Sequence, residues 1–232
     1  RIVQLPLGVI GIALGTALLP RLSAQFRADD PAPVRQTLAD AVTFASFFVL
    51  PASVALVMIG PDIITGLFGY GAFSMADAQA SGLALAAYAI GLPGHLLVKI
   101  LQPAFYANHR PGLVLAVSVA MVTANIMLSL SLMPHFGHVG LALATSISGI
   151  LAAVALMVAA MRAGYVGALP GAILMRICAA CGAMASMLAG LELLLPPVGA
   201  ALRMAVLVGG GGTAFLITAI LVRAVPRQLI RG

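Results

Sequence analysis

Lys99 is the residue most out of place in its surroundings. It sits in a long apolar stretch, eleven residues before Arg110, which on a helix puts it about 16 Å inside the nearer end. By insertion scales a lysine at the centre of a membrane helix costs about 2.5–3.5 kcal/mol, so an ionisable group kept there marks a functional site by default. His95 and Gln102 stand at i−4 and i+3 from it, on one helical face. Together they form a polar stripe that is expected to line a wet cavity. Arg1 and Gln4 make a second polar patch at i and i+3, although an arginine at a helix end is by itself an ordinary interfacial anchor. Glu192 and Arg203 read as interfacial anchors too.

Other groupings point to no chemistry. Cys178 and Cys181 form a C-x-x-C inside an apolar helix without a second ligand pair, so neither a metal site nor a redox motif is expected. His135 and His138 have no nearby carboxylate, and loop histidines are the simpler reading. Gly209 to Gly212, followed by Thr213, has the glycine content of a phosphate loop but no lysine, so helix packing is expected. H-E-x-x-H and G-x-S-x-G motifs are lacking, and neither catalysis nor a cofactor is expected.

The elements that must position these groups follow from composition. Of 232 residues, 62% are hydrophobic and 8% charged, where an ordinary soluble domain has about 25% charged. With 12 Lys and Arg, 6 Asp and Glu and a mean hydropathy of +1.14, the chain has too few polar groups to cover a water-soluble fold. Soluble enzymes, secreted disulfide scaffolds, disordered tails and free nucleic-acid binders are excluded. A membrane-spanning helix needs roughly 20 mostly apolar residues. Seven stretches qualify: 2–20, 41–60, 79–107, 112–134, 139–161, 177–197 and 204–222. The expected fold is all-α, a polytopic membrane bundle of seven transmembrane helices. Pro6, Pro51, Pro93 and Pro103 mark kinks whose freed carbonyls neighbouring helices can satisfy. Gly8, Gly11 and Gly15 recur at helical spacing and let backbones approach closely.

Charge placement sets the expected orientation. Alternation of the spans puts Arg21, Arg27, Arg35, Arg110, Arg162, Arg176, Arg223, Arg227 and Arg231 on one side, and the opposite loops hold only Arg203 against Asp62 and Asp77. Lys and Arg concentrate on the cytoplasmic side of membrane proteins, so the carboxyl terminus is expected in the cytoplasm and the amino end outside. The net charge of +6 is thereby a topology signal, and no nucleic-acid partner is expected. Residues 21–40 crowd six charges into 20 positions and read as a surface-lying cytoplasmic connector, with Asp30 as N-cap and Pro31 as first helical residue of an amphipathic helix that runs into the second span. An odd number of spans and an opening on arginine fit a piece of a larger transporter built from repeated bundles.

Several runs carry a resemblance. RIVQLPLGVIGIALGTALLPRLS (1–23), LFGYGAF (67–73) with Asp77 behind it, AYAIGLPGHLLVKILQPAFYA (87–107) and HVGLALATSIS (138–148) occur in the order found in the MurJ (MviN) lipid II flippases, within the multidrug/oligosaccharidyl-lipid/polysaccharide (MOP) exporter superfamily. The chain resembles that family over nearly its whole length. The resemblance implies the carboxyl-terminal half, helices eight to fourteen, of a fourteen-helix transporter of the bacterial inner membrane that works by alternating access. It implies a lobe at 1–164 of five helices with the connector at 21–40, and a final helix pair at 165–232 that forms a lipid groove. The implied substrate is lipid II, the undecaprenyl-pyrophosphate-linked peptidoglycan precursor, and the implied partners are membrane lipids and an absent amino-terminal lobe. Arg1 then corresponds to a cavity arginine of helix eight, and Lys99 falls in the family's V-K-x-L-x-P-x-F-Y segment. Gln4 stands where some relatives carry an acid, and 109–112 departs from the family's commoner Arg/Asp-Thr-Pro pattern. A pyrophosphate crossing low dielectric needs compensating cations, which makes Arg1 and Lys99 the expected headgroup contacts, with Gln4, His95 and Gln102 beside them. The competing readings are an exporter of another polyprenyl-linked glycan or of drugs, and a non-transporting membrane scaffold with a dry interior around Lys99.

Overall fold

The computed structural model describes residues 4–28, 31–69, 74–167, 169–196 and 198–226, and every regular element among them is an α-helix. In order these are α1 (Gln4–Arg27), α2 (Pro31–Phe68), α3 (Met75–Ala107), α4 (Pro111–Arg162), α5 (Gly171–Leu194) and α6 (Ala200–Leu221). Among the described residues five helices, α2 to α6, are long and apolar enough to cross a membrane. The seven expected spans therefore become six elements: the first is α1, which is not one of those five, and the fourth and fifth both lie in α4.

A straight helix of α4's 52 residues would be about 78 Å long, against a hydrocarbon core of about 30 Å. It folds back instead at Gly137 (φ 55, ψ −133), three residues after Pro134. The limbs 111–136 and 138–162 then run antiparallel. Asn125 Nδ2 donates across them to Thr145 Oγ1 (3.2 Å) and Ser148 Oγ (3.3 Å). At the turn, a methyl on Gly140 would sit 2.6 Å from the Leu132 carbonyl oxygen.

Helix α3 is packed against α1, α2 and α4, and α2 joins it to α5 and α6. Its Leu92, Leu96, Ile100, Leu101 and Phe105 are fully buried. Lipid tails are as apolar as leucine, so close packing and polar contacts must hold such helices together. Small residues provide the approach: a methyl on Gly91 would meet Ser146 Cα at 2.5 Å, and one on Gly94 would meet Ile150 Cα at 3.0 Å. Pro93 has no N–H for the carbonyl of Ala89, and Ser53 of α2 supplies the missing donor at 2.6 Å. Two residues earlier the Ser146 hydroxyl accepts from the Gly91 N–H (3.1 Å) and donates to the Ala87 carbonyl (2.6 Å), two groups that an undisturbed helix joins directly. The ladder of α3 is thus stitched from both sides at its proline.

The contacts define two ends. At one, Arg35 Nε donates to the Gly164 carbonyl (2.8 Å), Gln25 Nε2 to Thr37 Oγ1 (2.9 Å) and Asn108 Nδ2 to the Tyr165 hydroxyl. The Tyr165 ring meets Phe26 and Phe105 edge-on. Pairing of Phe47 with Phe215 and of Asp62 with Arg203 makes α6 antiparallel to α2, so Arg223 lies at this arginine-rich end as well. The other end carries Asp62, Arg203 and His138, whose Nε2 is 3.1 Å from the Ala80 carbonyl oxygen. In the charged stretch 21–40 the helix that opens at Pro31 runs into the second span as expected, but one face of it is buried in the bundle. Residues 21–27 continue α1 and 31–40 begin α2, whose Val34, Thr37 and Leu38 are buried there; Asp30 lies outside the described residues. That apolar face binds the segment into the bundle. Pro31 does open α2.

Candidate functional site

Lys99 projects from α3 eight residues before its last residue, Ala107, about 12 Å along the axis from that end. It is exposed, and its stem lies across α1. A methyl on Gly11 would stand 2.8 Å from Lys99 Cδ and 3.5 Å from Cε, so glycine there makes room for the chain. His95, one turn away, turns toward α4: it is half-buried, its ring packs where a methyl on Gly149 would sit 2.5 Å from Cε1, and it faces the Thr145 backbone carbonyl. The expected stripe therefore divides, with Lys99 over α1 and His95 against α4, and Gln102 half-buried on the turn between Lys99 and the helix end. Gln4 is the first residue of α1, and Arg1 lies outside the described residues.

Two tyrosines belong to the same face of α3. Tyr88 and Tyr106 stand eleven residues before and seven after Lys99, three and two helical turns away, and are 38% and 45% exposed. Read for ionisable and amide side chains, the sequence leaves phenols aside; the helical spacing from Lys99 is the signal that finds them. Each phenol, like the lysine amine, can donate to a phosphate or sugar oxygen.

A second feature is apolar. A cavity of about 280 Å³ opens between α2, α5 and α6, walled by Phe47, Phe48, Ile59, Met184, Leu188, Leu207 and Phe215. Gly211 and Gly212 form part of its floor. A methyl on Gly211 would press on Leu188 Cδ2 at 2.9 Å, and one on Gly210 on Leu191 Cδ1 at 2.6 Å, so the glycine run brings α6 onto α5. Cys178 is exposed and Cys181 buried on α5, both as free thiols. Among the described residues no group of three metal-ligating side chains is found.

Comparison with known proteins agrees with this architecture. The family model described as lipid II flippase MurJ matches residues 1–205. A probable lipid II flippase MurJ of Rhizobium tropici is 38% identical over 165 residues, 71% of this chain and 31% of that protein. The lipid II flippase MurJ of Burkholderia cenocepacia is 29% identical over 171 residues, 74% of this chain and 33% of that one. A solved lipid II flippase MurJ in an inward closed conformation superimposes with a TM-score of 0.80 over 98% of this chain and 46% of the other, at 24% identity, which is a likeness of fold. The chain spans about a third of the length of these curated relatives. With its helical fold and most of its length under one family model, the chain belongs to the lipid II flippase MurJ family.

Proposed function

We propose that this chain forms part of the path by which a flippase carries lipid II from the inner to the outer leaflet of the bacterial inner membrane, by alternating access. The observation that carries the reading is Lys99. A lysine exposed about 12 Å inside a membrane helix is costly against lipid tails, by about 2.5–3.5 kcal/mol at the centre, but not on the wall of a hydrated cavity. The α1–α3 face that bears it is therefore the wall of such a cavity. There Lys99, joined by Arg1 on the strength of the family resemblance, offsets the charge of a pyrophosphate as it crosses low dielectric. Gln102 and Gln4 add neutral hydrogen-bonding groups beside them, while His95 packs against α4. Several modest contacts suit a carrier, which must release what it binds.

The final pair, α5 and α6, holds the polyprenyl tail against α2 in the apolar cavity, whose walls present carbon to carbon. The arginine-rich end faces the cytoplasm, following the distribution of Lys and Arg, and carries the end of α6 with it. The rest of the polypeptide supplies the opposite cavity wall. Lys99→Ala in a full-length family member containing this chain is expected to lose rescue of cells depleted of their own flippase, at unchanged abundance in the membrane. Full rescue would remove Lys99 from the mechanism.

A further inference from the structure

The ion pair between Arg203 Nε and Asp62 Oδ1, 2.6 Å long, joins α2 to α6 just beyond the lining of the apolar cavity, at the end we read as one of its mouths. Asp62 stands one turn beyond Ile59 and Arg203 one turn before Leu207, and Ile59 and Leu207 both line the cavity. Helix α2 does not fix the direction of its own tip. At Ile59 the backbone leaves helical geometry (φ −112, ψ 22), and Pro61 withholds a hydrogen bond from the preceding turn. The tip, residues 62–68, is thus joined to the 31–58 shaft by a bend. Two contacts dock it on the first turns of α6: Gly66, where a methyl would lie 2.7 Å from Met204 Cβ, and the ion pair. The paired side chains are 29% and 22% exposed, so they can part without stranding a charge inside the bundle.

We propose that Asp62 and Arg203 are positioning residues that set the width of the cavity at this mouth. Paired, they hold the tip of α2 against α6 and close the mouth; parted, the tip turns about Ile59 and the mouth opens for an apolar chain to enter or leave. This rests on the reading of the α2–α5–α6 cavity as the place of the lipid tail.

The test uses spin labels at Leu67 and Leu202, both exposed, one on the tip and one on the first turn of α6. The labels are placed in the full polypeptide with Cys178→Ala and Cys181→Ala, in bilayers of phosphatidylethanolamine and phosphatidylglycerol. Dipolar broadening of the spectrum is expected with the native pair. Asp62→Asn and Arg203→Gln should each lose it, and the exchanged pair Asp62→Arg with Arg203→Asp should restore it. Broadening that survives both single changes, or that the exchange does not restore, overturns the proposal. If the single variants fail to accumulate, Arg203→Lys serves in their place: partial loss supports the latch and none overturns it. Photocrosslinking of undecaprenyl phosphate at Val208, run in parallel, separates the two readings. If broadening follows the ion pair but no lipid is captured at Val208, the latch stands and the tail reading of the cavity falls.

Discussion

At Lys99 two constraints meet in one side chain. Its amine needs a polar surrounding, and its methylene stem needs a surface to lie on; Gly11 provides the second by leaving the space a side chain would fill. Gly11→Leu should therefore displace the stem, and it is expected to lower transport severalfold without lowering the amount of protein in the membrane, as read by rescue and immunoblotting. Lys99→Arg keeps the charge, and it should retain more rescue than Lys99→Ala. The lysine was legible in the sequence because a charge in an apolar run has few neutral explanations. Its neighbour was not, because Gly11 and Lys99 are 88 positions apart and a glycine carries no sign of what it accommodates.

At the scale of elements, proline and glycine are decided by their partners. The sequence marks Pro93 as a kink, and the partners that serve the opened ladder, Ser53 from α2 and Ser146 from α4, come from distant spans that look like ordinary apolar helices. Interhelical hydrogen bonds in membrane proteins contribute about 0.6 kcal/mol on average and up to about 1.7. Ser146→Ala removes two such bonds and should cost about 1–2 kcal/mol, and Ser53→Ala, which removes one, about half of that, measured by reversible unfolding in mixed micelles. Gly137 has φ 55 and ψ −133, a conformation that side chains rarely adopt, so Gly137→Ala should destabilise the α4 hairpin by about 1–3 kcal/mol in the same assay. Two short apolar runs around the turn were read as two spans, and the hairpin they form agrees with that. In the connector at 21–40 the charges predict a wet surface on a helix that runs into α2, and Val34, Thr37 and Leu38 on its other face pack into the bundle.

For the whole molecule, polarity along the bundle axis is the main prediction. His135→Cys, at the charge-poor end, should react with an impermeant thiol reagent added to intact cells, and Arg162→Cys, at the arginine-rich end, should react only after the membrane is opened; the reverse pattern would invert the proposed orientation. The Cys178→Ala and Cys181→Ala background is needed here too, since Cys178 is exposed. By itself the sequence determined the solvent, the helical class, the approximate crossings, the lysine and the end at which arginines gather. All of these follow from hydrophobicity summed along a window, or from a single charge whose cost is local. Only the tertiary structure decided that α3 packs against α1, α2 and α4, that His95 and Lys99 turn to different neighbours, that glycines 210 and 211 bring α6 onto α5 beside an apolar cavity, and that Asp62 pairs with Arg203. In a bilayer every helix is apolar on most sides, so hydrophobic patterning says little about which faces meet. That choice rests on small-residue packing and a few hydrogen bonds between distant segments, which no local pattern encodes.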